Sequence, residues 1–421
     1  MIYLKRLLEE PLKHALERGK SVILLGARQT GKTTLLKKYQ DKCAFYYNFI
    51  QPRVRRQFER SPDSLSDEIE AYWKTVNPQS QPLVIIDEVQ KVPDIIDIAQ
   101  YLIDNQRAQF ILTGSSARKL KKRTDGDINL LPGRVIKLQL DALTLLEMNS
   151  QDSFNISLES LLQYGSMPSI FFEQNELDKE NDLLAYTDIY LEEEIRQEAL
   201  ARNLTAFSRF LELAAIENGN IINIAQLSQD VGVNVHLINE YFQILEDTLI
   251  AEKILPVHTS PSSRRRLSKA PKYLFFDIGV QRICAKEGAR LSEKTYGLRF
   301  EQFVGLELSR YIRLYSPQSN LRYWRDHSGP EIDYVIEKHH KFLPIEVKWT
   351  ENPNMHDCRH LKKFLQEYSC LDLAYVVCRT PRKRLLSERI MALPWQELPE
   401  IINVLNLTNQ EHDRANASKF L

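Results

Sequence analysis

Residues 21 to 34 read Ser21-Val-Ile-Leu-Leu-Gly26-Ala-Arg-Gln-Thr-Gly31-Lys32-Thr33-Thr34, and this stretch decides the fold of the first part of the chain. A β-branched and leucine-rich run passes through the pattern G-x-x-x-x-G-K-T into Leu35-Leu-Lys-Lys-Tyr39, which favours a helix. The glycines let successive N–H groups turn toward phosphate oxygens, and the helix N-terminus adds the positive end of its dipole. Strand, loop and helix in this order predict a binding site for a nucleoside triphosphate, with ATP and Mg²⁺ as the expected cofactors.

A second apolar run, Leu83-Val-Ile-Ile-Asp87-Glu88, ends in two carboxylates. Asp87 is expected to hold the water shell of Mg²⁺, and Glu88 is expected to polarise the water that attacks the nucleotide. We expect the strand that ends at Asp87 to be the neighbour of the strand before the loop. In a parallel sheet the carboxyl ends of both strands would then form the ligand crevice.

A third strand, within Gln109–Ser116, ends in serines where ATPases of this class carry a residue that senses the γ-phosphate. Ser115 or Ser116 is the candidate. Arg134 precedes a further strand at the place where such ATPases supply an arginine across a subunit interface, which would require a dimer or a ring. The alternative for Arg134 is a solvated arginine in a turn.

These motifs assign a role to each residue of the predicted ATP site. Lys32 would reach the β- and γ-phosphates, and the Thr33 hydroxyl would bind Mg²⁺ together with Asp87. The predicted catalytic residues are Lys32, Glu88, Ser115 and Arg134. The predicted nucleotide-binding residues are Gly26, Ala27, Arg28, Gln29, Thr30, Gly31, Lys32, Thr33, Thr34 and Asp87.

Composition narrows the class of protein. A chain of 421 residues is too long to fold around one hydrophobic core, which predicts two to four domains. The 56 basic residues balance the 56 acidic ones, so no overall affinity for polyanions is implied. The five cysteines have no metal-type spacing, which predicts reduced thiols without a disulfide or zinc site. Acidic residues near the N-terminus and the lack of a long apolar run predict a cytoplasmic protein with no membrane segment.

Patterning divides the chain into four predicted domains. Residues 1–150 alternate strands and helices, which predicts a mostly parallel sheet with helices on both faces. Residues 151–205 are helical and acidic and predict a lid or linker rather than a core. Within them the turn Gly165-Ser-Met-Pro168 either closes over the nucleotide base or is a plain Gly/Pro loop.

Residues 206–290 predict a winged-helix domain. Helices are expected at Phe207–Ile216, Ile224–Asp230 and Asn234–Leu249, with Gly232 in the turn before the third. A basic run follows at the position of the wing. Its four candidate DNA-binding residues are Arg264, Arg265, Arg266 and Lys269. A wing that contacts protein, or a solvated basic loop, remains the alternative.

Residues 291–421 carry a second chemical pattern. A helix that begins after Leu298 places Glu301 near its start, a hairpin carries Asp333, and the next strand carries Glu346 and Lys348 on one face. Glu301, Asp333 and Glu346 would hold Mg²⁺, and Lys348 would orient the nucleophile in metal-dependent phosphodiester cleavage. Two solvated strand residues, or a domain that binds DNA or protein without cutting, are the alternatives.

Over nearly its whole length the sequence resembles AAA-type P-loop ATPases (AAA_14-like) whose C-terminal half is a domain of unknown function, number 4143, with a nuclease-like end. The motifs that carry the resemblance are Gly26–Thr33, Ile86–Gln90, Leu112–Ser116, Gly133-Arg134, Gly165–Pro168, Lys272–Asp277, and Glu301 with Asp333, Glu346 and Lys348. The turn Gly165–Pro168 departs from the family pattern because it lacks a double glycine. The resemblance implies an α/β fold: a P-loop NTPase sheet, a helical lid, a winged helix and a PD-(D/E)XK nuclease-like domain.

Two hypotheses on function follow. The first is Mg²⁺-dependent ATP hydrolysis coupled to DNA engagement, with metal-dependent DNA cleavage by the C-terminal domain. The second is a nucleotide-gated switch whose C-terminal half binds a protein partner without nuclease activity. A P-loop kinase is disfavoured, because Asp87 and Glu88 suit water activation and no acceptor site is evident.

Overall fold

The computed structural model describes residues 3–116, 133–150, 156–191, 203–257, 270–288, 290–326, 329–371 and 373–404. The strands in these ranges are β1 Ser21–Leu25, β2 Phe45–Asn48, β3 Leu83–Asp87, β4 Gln109–Gly114, β5 Val135–Gln139, β6 Ala251–Pro256, β7 Lys272–Phe275, β8 Asn320–Arg325, β9 Glu331–Lys338, β10 Lys341–Lys348, β11 Ala374–Cys378, β12 Arg384–Ser387 and β13 Ile390–Pro394. The α-helices are α1 Glu9–Glu17, α2 Lys32–Leu36, α3 Pro52–Arg60, α4 Ser64–Val76, α5 Ile95–Asp104, α6 Leu145–Met148, α7 Leu158–Tyr164, α8 Pro168–Phe172, α9 Glu176–Ala185, α10 Leu204–Ile216, α11 Ile224–Val231, α12 Val235–Asp247, α13 Ile278–Cys284, α14 Glu293–Tyr315 and α15 Arg359–Glu367.

The first sheet has five parallel strands in the order β2-β3-β4-β1-β5. The expectation that β1 and β3 are direct neighbours is therefore wrong, because β4 returns through α5 and lies between them. Parallel strands nevertheless end at a common edge, so the carboxyl ends of β1, β3 and β4 still meet. The predicted crevice survives with a different strand order.

Alternate residues of β1 enter two different cores. Ile23 and Leu25 pack with side chains of α4 and α5, whereas Val22 and Leu24 pack with side chains of α1 and α2. Because successive side chains of a strand point to opposite faces, helices cover both faces of this sheet. The predicted architecture of residues 1–150 is confirmed in this respect.

The helical region after the first sheet is a packed part of the molecule. Leu158 and Leu162 of α7 enter a core that they share with the C-terminal sheet. Met167, Leu183 and Tyr186 enter another core, which they share with α10 and α12. The prediction of a lid or linker without a core is wrong for these residues, since their apolar side chains recur at helical spacing and are buried.

Helices α10, α11 and α12 follow in the predicted order, and Gly232 ends α11 with φ 79°. Strands β6 and β7 form an antiparallel hairpin beyond them. The end of β6 also pairs with β8, so the hairpin joins a mixed eight-stranded sheet in the order β12-β13-β11-β10-β9-β8-β6-β7. The predicted division at residues 150, 205 and 290 stays a prediction, and the cores cross it.

Helix α14 begins earlier than predicted, at Glu293, so Glu301 lies well inside the helix and not near its start. The Ser292 side chain caps the helix by accepting a hydrogen bond from the Thr295 N–H. Gly297 lies within the helix, where an added Cβ would stand 3.6 Å from Trp349, an ordinary van der Waals contact.

Helix α14 binds three other parts of the chain directly. The Glu307 carboxylate accepts a hydrogen bond from the Leu145 N–H at 3.0 Å. Arg310 donates to Leu143 O at 3.1 Å, to Ser166 Oγ at 3.3 Å and to Phe276 O at 2.9 Å. One buried helix therefore ties the end of the first sheet, the turn before α8 and the end of the β6–β7 hairpin together.

Gly165, in the turn before α8, is expected to be highly sensitive to substitution. Its φ is +78°, and an added Cβ would overlap the Asp277 carboxylate, which accepts hydrogen bonds from the Ser166 and Gly279 N–H groups. Gly165→Ala should therefore lower the free energy of unfolding by about 3 kcal/mol or more, through overpacking and backbone strain.

Gly232→Ala is the matched control, because its φ is +79° but nothing lies within 4 Å of an added Cβ. Backbone strain alone should cost that variant about 1 kcal/mol. Chemical denaturation of both variants measures the difference. Equal losses would contradict the contact between Gly165 and Asp277.

In the part of the chain that the structure describes, no helix is both long and apolar enough to cross a bilayer.

Candidate active site

The phosphate loop has the backbone that its glycines predict. Gly31 has φ 97°, and a Cβ at Gly26 would overlap Leu140 O, where the loop packs against the end of β5. Thr30 Oγ1 donates to Ala27 O at 2.9 Å and holds the curve of the loop. A left-handed position and a close backbone contact are the places where glycine is required. The strand, loop and helix lie where the sequence predicts them.

Lys32 is buried beneath the loop. Its Nζ donates to Gly26 O at 2.8 Å and to Ala27 O at 2.9 Å. An ammonium group that is held by two carbonyl oxygens at the helix N-terminus is positioned to exchange those partners for phosphate oxygens. The geometry suits the predicted role of this lysine.

Asp87 connects β3 to the loop and to β4. Its Oδ2 accepts a hydrogen bond from Thr33 Oγ1 at 2.8 Å, and its Oδ1 accepts one from Thr113 Oγ1 at 2.5 Å. Hydroxyl and carboxylate oxygens are ligands that Mg²⁺ prefers. Thr33 and Asp87 thus fit the Mg²⁺ that accompanies a nucleotide, and Thr113 fixes the carboxylate from behind.

Glu88 occupies a strained backbone position with φ 61° and ψ 47°. Its Oε2 accepts a hydrogen bond from Gln90 Nε2 at 2.5 Å, and the same Nε2 donates to Ser115 Oγ at 3.0 Å. Positive φ at a residue with a side chain is costly and concentrates at functional positions. Gln90 therefore sets the orientation of the predicted base and connects it to the predicted sensor.

A cavity of about 780 Å³ opens beside the loop. Its polar wall includes Arg28, Lys32, Thr33 and Glu88, and its apolar wall is formed by the side chains of Tyr3, Leu4, Ile50, Leu143, Pro168 and Phe172. The first residues of α8 thus face the phosphate loop across the cavity, and Ser169 Oγ donates to Gln29 Oε1 at 3.4 Å. Of the turn Gly165–Pro168, Pro168 lines this cavity, and closure of the turn over the nucleotide base stays a prediction.

Arg6 supports the loop from outside the motif. Its guanidinium donates to Thr30 O at 2.7 Å, to Asp141 O at 2.7 Å and to Glu147 Oε1 at 3.0 Å. These partners lie 24 to 141 residues away in sequence. No local pattern could have identified Arg6, whereas Gln90 lies only two positions beyond Glu88.

Arg134 lies at the opposite end of the first sheet from the phosphate loop. It precedes Val135, which pairs with Ser21 at the start of β1, and its Nε is 2.5 Å from Asp104 Oδ1. Arg134 therefore cannot reach the nucleotide site of its own chain.

Ser115 and Ser116 are both buried at the end of β4, and the Ser115 hydroxyl lies 3.5 Å from Glu88 Oε2.

In the second predicted site, the carboxylates are bonded to lysines and to a backbone N–H group. Glu346 Oε1 accepts a hydrogen bond from Lys348 Nζ at 2.6 Å, and Asp333 Oδ2 accepts one from the Val347 N–H at 2.8 Å. Lys272 Nζ lies 3.4 Å from Glu301 Oε1. Lys272 was not among the predicted site residues.

The magnesium site predicted from Glu301, Asp333 and Glu346 stays a prediction. Within the described ranges, no three His, Cys, Asp or Glu side chains come together in a way that could hold a metal ion. Lys272 and Lys348 lie among these carboxylates and neutralise part of their charge. The candidate DNA-binding residues Arg264, Arg265, Arg266 and Lys269 lie outside the described residues.

The carboxylate cluster predicts a pH-dependent stability. Burial and the nearby charge of Asp333 raise the pKa of Glu301 to about 7 and that of Glu346 to about 8. Each group then binds its proton more tightly in the folded chain than in the unfolded chain. The stabilisation is complete below pH 4.5 and is lost as the pH rises through 7 to 8, with a slope of at most about 1.4 kcal/mol per pH unit and proton.

Chemical denaturation at several pH values between 5 and 8 measures this slope, and Glu346→Gln should make it shallower. Asp277 and Glu307 should leave a residual slope in the variant, because burial also raises the pKa of these two carboxyl groups. An identical slope in Glu346→Gln and the unmodified chain would contradict the assignment.

Comparisons with known families agree with the first site. Residues 18–149 match the AAA domain family. Residues 155–289 and 296–398 match two domains of unknown function, numbers 8612 and 4143. The phosphate loop, the Asp87–Glu88 pair and the parallel sheet thus lie in the part of the chain that matches the AAA domain family, and the matches to two domains of unknown function follow it.

Individual relatives add the following. The uncharacterized proteins Rv2008c of Mycobacterium tuberculosis and Mb2031c of Mycobacterium bovis are each 25% identical over 395 residues, which cover 92% of this chain and 82% of the relative. Among solved structures, the Orc1 protein of Aeropyrum pernix in complex with DNA has 10% identity and a TM-score of 0.29, and covers 68% of this chain and 93% of its own. AMPPCP-bound DnaA of Aquifex aeolicus has 15% identity and a TM-score of 0.27, and the match covers 57% of this chain and 87% of the DnaA chain. Likeness at this level carries no argument on function.

Proposed function

We propose that the protein is an ATP-hydrolysing switch whose C-terminal half binds a partner according to the nucleotide state. The observation that carries the proposal is the cavity wall: α8 faces the phosphate loop, and Ser166, two residues before α8, is bonded to Arg310 of α14. A change at the nucleotide therefore meets a segment that is attached to the C-terminal half.

The chain supplies the groups that hydrolysis requires. Lys32 would bind phosphate oxygens, and Thr33 and Asp87 would hold the accompanying Mg²⁺, which supplies charge neutralisation at the phosphates. Glu88 would accept the proton of the attacking water. Gln90 holds one Glu88 oxygen at 2.5 Å, so it controls which way the base points.

Two features favour binding a protein over reading DNA. The exposed residues of α12, which would be the recognition helix of a winged helix, are Val235, His236, Asn239, Glu240 and Gln243, and none is a lysine or arginine. Protein–DNA interfaces are strongly basic. Lys272 lies between Glu301 and Glu331, and a cation at this position disfavours a divalent metal on Glu301 and hence metal-dependent cleavage.

DNA engagement stays the second candidate function, because the basic run with Arg264, Arg265, Arg266 and Lys269 suits phosphate contacts. Alanine at the three arginines should then weaken DNA binding and flatten its salt dependence. Unchanged affinity would remove the wing from this hypothesis.

ATP hydrolysis with Mg²⁺ separates the two candidates. The full chain is assayed with and without single-stranded, duplex and branched DNA, the DNA is analysed in the same samples, and hydrogen exchange of α14 is compared with and without ATP. Turnover that ignores DNA, intact DNA and nucleotide-dependent exchange in α14 support the switch. DNA-stimulated turnover with nicking would overturn it.

Arg134 is proposed to complete the nucleotide site of a neighbouring copy, since it cannot reach its own. Arg134→Ala and Lys32→Ala should each lose ATP hydrolysis, and a mixture of the two should regain part of it. Regain requires that one copy supply Arg134 and the other an intact phosphate loop. A mixture as inactive as its components would return Arg134 to a surface ion pair with Asp104.

A further inference from the structure

We propose that Lys272 is a built-in counterion that closes the carboxylate cluster of the C-terminal sheet to divalent cations. The cluster would then join the β6–β7 hairpin to α14 and β9 as a structural ion network and would not be a metal centre. This inference is independent of the proposed ATP hydrolysis, since it concerns only residues of the second site.

The position of Lys272 carries the proposal. Its Nζ lies 2.8 Å from Glu331 Oε1 and 3.4 Å from Glu301 Oε1, and its side chain is only 3% exposed. The ammonium group thus stands between a carboxylate of α14 and one of β9. A cation that bridges two carboxylates is what a divalent metal would provide at this point.

Lys272 is also held in place by its backbone. It pairs with Ile254 on the β6 side and forms a bridge with Ile221 on the other side. Its ammonium group lies 5.1 Å from the ring centre of Tyr323, which covers it further. A metal held by Glu301 would take one of the two carboxylates that balance this buried lysine and would add positive charge beside it, which is unfavourable.

The other predicted ligands are engaged as well. Glu346 Oε1 is bonded to Lys348, and Asp333 Oδ2 is bonded to the Val347 N–H. Glu346 Oε2 is the exception: it is buried and has no hydrogen-bond partner among the described residues. The four carboxylates of Glu301, Glu331, Asp333 and Glu346 thus face three cations, Lys272, Lys348 and Arg325. Loss of the Lys272 charge would therefore add to the net negative charge beside Glu346 Oε2.

This charge balance makes a specific expectation for Mn²⁺, a probe for the Mg²⁺ site that the motif implies. The unmodified chain should have no Mn²⁺ site that depends on Asp333. Lys272→Met, which keeps an unbranched side chain one atom shorter and removes the charge, should gain about one such site. Adding Asp333→Asn to Lys272→Met should remove the site again.

Electron paramagnetic resonance of free Mn²⁺, with full-length protein and no nucleotide, measures binding in each variant. Asp333→Asn alone leaves the phosphate loop intact, so the difference that it makes reports the second site only. Asp333-dependent Mn²⁺ binding by the unmodified chain would overturn the proposal. A folded Lys272→Met protein that binds no Mn²⁺ would overturn it too.

Lys272→Arg is the control that separates loss of the positive charge from a general effect of substitution at this position. It keeps the positive charge and should remain as unreceptive to Mn²⁺ as the unmodified chain, whereas gain of an Asp333-dependent site in this variant contradicts the charge argument. If Lys272→Met does not fold, the comparison between the unmodified chain and Asp333→Asn still decides.

Discussion

Glu88→Gln is expected to lower kcat for ATP hydrolysis by about 10²- to 10³-fold, whereas ATP should still bind. Glutamine keeps the shape of the side chain but cannot accept a proton from the attacking water. The Gln90 amide that now donates to Glu88 Oε2 can still find an oxygen on the new side chain. Steady-state phosphate release measures turnover, and calorimetric titration with a non-hydrolysable ATP analogue measures binding.

Glu59→Gln is the matched control for Glu88→Gln, because Glu59 is a half-exposed carboxylate on α3. Its turnover should equal that of the unmodified chain. An unaltered rate in Glu88→Gln would remove Glu88 as the base. Loss of analogue binding in that variant would mean that Glu88 supports the loop and does not act in the chemical step.

Lys32→Ala is expected to weaken ATP binding by about 10- to 100-fold and to abolish measurable turnover. A charge-assisted hydrogen bond contributes about 1.5–3 kcal/mol, which corresponds to this range of affinity. The ATP-induced rise in Tm should shrink accordingly, because stabilisation by a ligand depends on its concentration relative to Kd. Thermal melts over a series of ATP concentrations measure it.

Lys13→Ala serves as the control for Lys32→Ala, since Lys13 is an exposed lysine of α1. This variant should show the full ATP-induced shift. A normal shift in Lys32→Ala would mean that the lysine remains on Gly26 O and Ala27 O when nucleotide binds, which contradicts its assignment.

Local chemistry made the phosphate loop predictable. Gly26, Gly31, Lys32 and Thr33 act within one turn of chain, so their roles can be inferred from spacing alone. The order of the strands was not predictable in this way. Nothing in residues 83–87 or 109–114 tells which of the two strands lies beside β1, because both have a continuous apolar middle, Leu83–Ile86 and Phe110–Leu112.

Long-range electrostatics explains what sequence patterns missed at the second site. Asp333, Glu346 and Lys348 are close in sequence, and their proximity on β9 and β10 was inferred correctly. Lys272 arrives from β7 and changes the net charge of the cluster. A local sequence motif identifies residues that could form a site, but it does not identify a counterion that comes from a strand distant in sequence.

The attachment of α14 has a consequence for how the protein can be divided in the laboratory. Family boundaries near residues 150 and 290 suggest modules that could be expressed separately. Truncation before α14 would strip the Leu145 N–H, Leu143 O and Phe276 O of their buried partners, each at a cost of about 1–3 kcal/mol. Loss of activity in an isolated N-terminal fragment could therefore reflect misfolding and not the role of the missing domains. Point substitutions in the full chain avoid this problem.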